Sequence, residues 1–440
     1  MRSDPASQAA GLAGFAVPAK RPGESLVGIT VLKAIIVGAG MGGLTAALEL
    51  SGRGHEVVVF EAAARISPLG VGINLLPHSV RVMDRLGLQD QLLAHGVATR
   101  ELVYFNKFGQ RIWGEARGRF AGYDWPQISL HRRALQSVLL EAAAQRLGSE
   151  AIRSDRKLVQ FEEVDAKVVA HFTDQSGKLA VSAEADLLIA ADGLHSAARK
   201  QLYRDEGQPI YAGRILWRGV TRAKPFLTGA SMIMAGFQDE KFVCYPIEGV
   251  GEDGLQTINW IAEVTRDVLK NREDYNRAGQ LNDFLPVFES WDFGWLDAGA
   301  LIRAASQVFE YPLVDRDPIP RWSFGRMTLL GDAAHPMYPI GSNGASQAIL
   351  DAYALGEALD SHRDVETAFH AYEAARQPST AAIVRANRGN GPEQCMQLVH
   401  ERAPHGFENI DEVITPAELE EIAARYKQVA GFSKDALGKR

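Results

Sequence analysis

Ala34-Ile35-Ile36-Val37-Gly38-Ala39-Gly40-Met41-Gly42-Gly43-Leu44-Thr45-Ala46-Ala47 is the stretch that decides the fold. An apolar run of β type stops at a glycine turn, and a helix of small residues begins at once. Gly38 permits the tight turn, Gly40 leaves room for a pyrophosphate beside the backbone, and Gly43 lets the helix lie close on the strand. The helix N-terminus, opened by Met41, adds free N–H groups and a partial positive charge. The next run, Glu56-Val57-Val58-Val59-Phe60, ends at Glu61. That is about 20 residues beyond the glycines, where a carboxylate can bind a ribose diol. A lone G-x-G-x-x-G also marks ordinary glycine turns. Strand, turn, helix, second strand and terminal acid in this order point to a bound adenine dinucleotide.

Two later runs read as strands buried on both faces of a parallel sheet, and each ends in an acid. They are Ala185-Asp186-Leu187-Leu188-Ile189-Ala190-Ala191-Asp192-Gly193 and Met327-Thr328-Leu329-Leu330-Gly331-Asp332. An acid at the carboxyl end of such a strand faces the crevice where ligands bind. It can equally cap a following helix, which for Asp192 would be Ser196–Leu202. After Asp332 comes the loop Pro339 to Gly344, then a helix from Ala345 to Leu359. Backbone N–H groups at such a start can stabilise negative charge on a ligand.

Between these runs the pattern changes. Gly213–Thr221, Ser231–Phe237, Lys241–Ile247 and Thr257–Val264 read as strands of an antiparallel sheet inserted in the α/β core, and Tyr104–Phe120 reads as a hairpin. Alternation pairs Ile215 with Trp217, Met232 with Met234, and Val243 with Tyr245. Trp217, Met234, Tyr245 and Tyr338 are candidates to line a pocket for a flat ring, although residues at this spacing more often form plain core. Arg218 either meets a substrate carboxylate or is solvated. His335, beside a proline, reads as structural. Leu158–Thr173 reads as two short strands. Helices are expected over Ser79–Leu86, Leu130–Gln145, Arg272–Phe288 and Val365–Arg376, the last ended by Pro378. Thr415-Pro416-Ala417-Glu418 is a capping box that opens a final helix.

The 440 residues, 46% hydrophobic and 23% charged, suit a soluble α/β protein with a large core. A net charge of -7 disfavours nucleic acid as a partner. Cys244 and Cys395 lie far apart and form no metal-ligand spacing, so a reduced, cytoplasmic setting and no metal are expected. No apolar run reaches the roughly 18 residues that a membrane span needs. Residues 1–30 lack a clear period and read as a flexible extension.

Taken in order, Gly38-x-Gly40-x-x-Gly43, Asp192-Gly193 and Gly331-Asp332 resemble the class A flavoprotein monooxygenases, the para-hydroxybenzoate hydroxylase type. The resemblance covers roughly residues 31–390, about four-fifths of the chain. Pro68-Leu69-Gly70-Val71-Gly72-Ile73-Asn74, Trp217-Arg218-Gly219-Val220-Thr221 and Tyr311 to Pro318 are similar to the branch that acts on phenazine carboxylates. The resemblance implies an FAD-binding Rossmann-like domain (31–103, 128–203 and 321–390), a substrate domain (104–127 and 204–320) and a helical tail (391–440).

It implies NAD(P)H as co-substrate and hydroxylation of a small aromatic or heteroaromatic compound by O2 through a flavin C4a-hydroperoxide, in a monomer or homodimer. On that reading Gly331 and Asp332 meet the flavin-side ribose, and Asp192 serves FAD and the nicotinamide. Arg132, rather than Arg133, reaches the FAD. Val71 and Gly72 give backbone contacts to the flavin, and Leu158 one to the adenine. Pro339, Gly341, Ser342, Gly344 and Ala345 lie against the flavin ring. The alternatives are an NAD(P)-dependent dehydrogenase, which the Gly331-Asp332 loop disfavours, and an FAD-binding protein that does not oxygenate. A flavin halogenase is a further one, but Trp291-Asp292-Phe293-Gly294-Trp295 lacks its W-x-W-x-I-P signature.

Overall fold

In the computed structural model, residues 31–66, 70–266, 277–434 and 437 are described. The expected extension at 1–30 lies outside them. The apolar run at its start forms the strand Lys33–Val37, central in a six-stranded sheet. It pairs in parallel with Glu56–Phe60 on one side and Leu187–Ala190 on the other, in the register Ile35↔Val58 and Ile35↔Leu188. Met327–Leu329 adds in parallel beyond Leu187–Ala190. Continuous β-branched and leucine runs suit these positions because both faces are covered. All three motifs therefore emerge from the same carboxyl edge, one after each of three neighbouring strands.

The first helix, Met41–Gly52, buries every residue from Met41 to Leu50. It packs between the helices Arg132–Leu147 and Gly344–Ser361. Its closeness to the strand comes from Gly43, where any Cβ would collide with the Gly38 carbonyl and approach the Ala191 side chain.

The second sheet has eight strands, in the order Arg277–Ala278, Val308–Asp315, Ile210–Ala223, Gln256–Thr265, Glu240–Val250, Ser231–Gly236, Glu101–Phe105 and Arg111–Ala116. Every pairing is antiparallel except Ser231–Gly236 with Glu101–Phe105. One face carries Ile215, Trp217, Phe242, Cys244, Trp260 and Ala262 and packs under Phe284, Phe288 and Trp291. The other carries Met232, Met234, Val243 and Tyr245 and meets Met396, Val399 and Leu419 from the C-terminal helices Gln394–Arg402 and Pro416–Val429, with Ile414 from the connection between them. The capping box is formed as read, with Thr415 Oγ1 accepting from the Glu418 N–H. Both cysteines are free and buried.

Two expectations need correction. The helix over Arg272–Phe288 is not formed in its described part, which holds the short strand Arg277–Ala278 and two single turns, Leu281–Asp283 and Leu285–Phe288; 272–276 lie outside the described residues. The helix from Val365 does not stop before Pro378 but runs to Arg388. Buried residues on both sides of the proline, Phe369 and Tyr372 before it and Ile383 and Val384 after it, hold the two halves in one line. The sequence reading also missed Leu179–Ala185, the third strand of a small antiparallel sheet with Lys157–Val164 and Lys167–Thr173. Among the described residues no helix is long and apolar enough to cross a membrane.

Candidate active site

A cavity of about 350 Å³ opens where the carboxyl edge of the parallel sheet faces the second sheet. Gly40, Met41 and Gly42 line it at the N-terminus of the first helix, Ala191 and Gly193 after the strand Leu187–Ala190, and Gly331 and Asp332 after Met327–Leu329. Glu61 is not among the lining residues; its carboxylate is held by backbone, Oε2 accepting from the Ala39 N–H of the glycine turn at 2.7 Å and Oε1 from the Ala63 N–H at 2.8 Å. The strand holding Leu158 starts beside this acid, where the Arg156 N–H donates to the Glu61 carbonyl at 2.8 Å. The Leu158 side chain itself is core.

Asp332 and Arg132 face the cavity together. Burial raises the Asp332 carboxyl above the ordinary carboxylate range, and His335 and Arg132 pull it back in part. Burial and then Arg218 hold Arg132 below its ordinary value, with Asp332 opposing. Among the described residues no protein hydrogen bond uses the Asp332 carboxylate or the Arg132 guanidinium. Arg133 is exposed and only its backbone N–H is engaged, by the His131 ring at 3.2 Å.

Asp192 does not face the cavity. Its Oδ2 accepts from the N–H groups of Ala197 at 2.8 Å and Ala198 at 3.3 Å, so the carboxylate caps the helix Ala197–Leu202. Burial raises this carboxyl too. Arg199 is buried and ties that helix to the next motif, donating to the carbonyls of Ala333 at 3.1 Å and Ala334 at 2.9 Å.

Gly72 lines the cavity but has no free hydrogen-bonding group to offer. Its N–H donates to Asn259 Oδ1 at 2.6 Å and its carbonyl accepts from Arg218 at 2.7 Å. The Val71 carbonyl accepts from the Arg132 N–H at 2.9 Å.

The loop expected beside a ring forms the near wall. Pro339, Ser342, Gly344 and Ala345 line the cavity, and the helix Gly344–Ser361 points its N-terminus there. Gly341 turns away, with φ at 66°, and packs on Tyr426 of the last helix. Opposite, Met234 and Tyr245 line the cavity with Met232, Val243 and Leu216.

Two pocket candidates lie elsewhere. Trp217 is 1% exposed on the far face of the sheet, stacked on Phe284 at 4.8 Å with Nε1 donating to Glu310 at 3.2 Å. The strand's alternation turns its neighbours Leu216 and Arg218 inward instead. Tyr338 packs with Leu216, Leu313 and Ile340, while Met337 and Pro339 on either side face the cavity. Burial and the nearby Asp315 push its hydroxyl up to about 12.

Sequence reasoning missed the residues that hold the site from behind. Asp351 is fully buried, accepts from the Gly331 N–H at 3.1 Å, and pairs with His335 at 2.5 Å and Arg376 at 2.8 Å. His335 is thus structural, as its setting suggested. The signal for Asp351 was an acid on the small-residue face of a buried helix. For Asn259 it was an amide among alternating apolar residues.

The open helix N-terminus, the cavity-facing carboxylate of Asp332 and the unpaired guanidinium of Arg132 together fit the pyrophosphate and polyol of FAD. Comparison with known proteins agrees. The family model described as an FAD binding domain matches residues 31–278 and 309–387. The chain is 45% identical over 361 residues to phenazine 1,6-dicarboxylic acid hydroxylase PhzS of Lysobacter antibioticus, covering 80% of this chain and 88% of the relative. It is 33% identical to 3-amino-4-hydroxybenzoate 2-monooxygenase of Streptomyces cremeus, covering 81% and 86%. Klebsiella pneumoniae HpxO, solved with FAD and uric acid, shares the fold with a TM-score of 0.68 at 24% identity, covering 94% of this chain and 96% of that one. The chain therefore belongs to the FAD binding domain family, as one of the class A flavoprotein monooxygenases, which use FAD and NAD(P)H to hydroxylate aromatic and heteroaromatic compounds.

Proposed function

We propose that this enzyme hydroxylates a carboxylated, phenazine-like heteroaromatic acid. The observation that carries the reading is the shape and chemistry of the slot between the Pro339 loop and the second sheet. Leu216, Met232, Met234, Val243 and Tyr245 give it a long apolar wall, which suits a flat fused ring. Cations also reach the slot, as a substrate carboxylate requires. The 45% relative carries a phenazine dicarboxylate in its name, and the runs around Val71 and Arg218 resemble 5-methylphenazine-1-carboxylate monooxygenase.

The roles of the chain's own groups follow from their placement. The N–H groups at Gly40 to Gly42 hold the pyrophosphate, Glu61 the adenosine ribose and Asp332 the flavin-side polyol, with Arg132 neutralising charge beside it. The N-terminus of Gly344–Ser361 and the backbone of Ser342 stabilise negative charge on the ring system. The C-terminal helices cover the substrate side and exclude water. Bound FAD, once reduced by NAD(P)H, supplies the activated oxygen atom.

The test is NADH and NADPH oxidation with a panel of phenazine carboxylates, hydroxybenzoates and hydroxypyridines, with products read by mass spectrometry. A phenazine acid should give coupled turnover and a product that gains one oxygen, with or without loss of CO2. Coupled product from single-ring acids alone would overturn the reading.

A further inference from the structure

Resting on the reading above, we infer that Lys241 is the anchor for the substrate's carboxylate, and that Glu393 of the C-terminal segment holds its place until substrate binds. Three cations line the cavity: Arg132, Arg218 and Lys241. Arg132 stands beside Asp332, and Arg218 is held by the Gly72 carbonyl and Tyr245, with its Nε a buried donor left over among the described residues. Both belong to the cofactor end. Lys241 shares a strand face with Val243 and Tyr245, four residues from Tyr245 and therefore about 13 Å along the strand. It marks the other end of the slot, at a distance longer than one six-membered ring.

The surroundings of Lys241 form a neutral group of four. Arg214 pairs with Glu263 at 2.9 Å, Lys241 with the same Glu263 at 3.0 Å, and Lys241 with Glu393. All four are buried. Glu263 is held by two cations, whereas Glu393 has Lys241 alone as ion-pair partner among the described residues. A buried ammonium without a counter-ion loses its proton; Glu263 and Glu393 both supply counter-charge to Lys241 in the free enzyme, and Glu263 still supplies it when Glu393 gives way. An incoming carboxylate replaces Glu393 like for like, because three carboxylates around two buried cations would leave one uncompensated. Glu393 sits on the single turn Gly391–Glu393, beyond residue 387 where the family match ends. Substrate choice is thereby set from outside the shared cofactor-binding frame.

Calorimetric titration of the FAD-loaded protein with phenazine-1-carboxylate and phenazine-1-carboxamide separates the possibilities. The wild type should bind the acid more tightly than the amide. The double variant Lys241→Met, Glu393→Gln, which removes one charge of each sign and leaves Arg214–Glu263 paired, should lose that preference by about tenfold or more. Glu393→Gln alone should tighten acid binding. An acid preference that survives the double variant, or acid binding weakened by Glu393→Gln, would overturn the anchor while leaving the carboxylated substrate in place. A wild type that does not distinguish acid from amide would overturn both.

Discussion

The Tyr426 ring lies directly against the Cα of Gly341, so that the last helix of the chain rests on the loop forming the near wall of the cavity. The Tyr426 hydroxyl accepts from Asn343 Nδ2 at 2.8 Å and is shared with Asn387 Oδ1 at 2.9 Å and the Ile340 carbonyl at 3.1 Å. Burial pushes the hydroxyl well above its ordinary range, so it stays a donor. Tyr426→Phe should cost about 1–3 kcal/mol through the partners left unsatisfied. Gly341→Ala should cost at least as much, because φ there is 66° and the new Cβ meets the tyrosine ring. Thermal unfolding of both variants checks this, and an unchanged Tm for Gly341→Ala would show that the contact is loose.

Asp351 links the Gly331 turn to Arg376 and to the His335 ring, and removing its charge should be severe. Asp351→Asn leaves the Arg376 guanidinium without its counter-charge and weakens the hydrogen bond to His335, and should destabilise the protein by about 3–5 kcal/mol. Burial alone would raise this carboxyl, but His335 and Arg376 outweigh it and hold it below the ordinary value of 3.8. A carboxyl depressed on folding contributes stability above its unfolded pKa and loses it as pH falls through the lower folded value. The stability gap between wild type and Asp351→Asn should therefore be constant near neutrality and shrink below about pH 4. Denaturant midpoints from pH 6 to pH 3 test it, and a gap that widens on acidification would contradict the pairing.

The parallel sheet was legible because its code is local. Glycines at fixed spacing and apolar runs ending in Asp192 and Asp332 fix where strands stop, and parallel pairing then brings the ends together. The second sheet was legible as strands but not as faces. Alternation puts Ile215 and Trp217 on one side, but nothing local says which side meets the cavity. That is decided by Phe284 and Phe288, far along the chain. Asp192 shows a related limit: one letter serves a ligand or a helix cap, and here the carboxylate accepts from the Ala197 N–H at 2.8 Å. Glu393 and Tyr426 were illegible because their partners, Lys241 and Gly341, lie in distant segments.

The placement of Trp217 gives a contrast within one sheet. Trp217→Leu should lower stability by a few kcal/mol, as loss of a large buried ring does, and leave the KM for the aromatic substrate near its wild-type value. Met234→Ala, on the opposite face, should raise that KM with a smaller loss of stability. Steady-state kinetics beside thermal unfolding distinguishes the two, and a KM change confined to Trp217→Leu would reverse the assignment of faces.

Asp332 and Arg132 are the pair on which cofactor retention should depend. Both line the cavity, Asp332 exposed and Arg132 half-buried, and no described protein hydrogen bond uses either side chain's charged group. Such groups are open to a ligand of complementary charge and polarity. Asp332→Ala removes an acceptor for a hydroxyl of the polyol, and Arg132→Met a cation beside the phosphates. Each should weaken FAD binding by about tenfold or more, the scale of one charge-assisted hydrogen bond. The apoprotein has little stake in it: the Asp332 carboxylate is exposed in the cavity and bonds no described protein group, so apo Asp332→Ala should be about as stable as apo wild type. Flavin content after purification and Tm without FAD test the two halves together. Full flavin content in Asp332→Ala, or a destabilised apo variant, would mean that the carboxylate serves the protein rather than the cofactor.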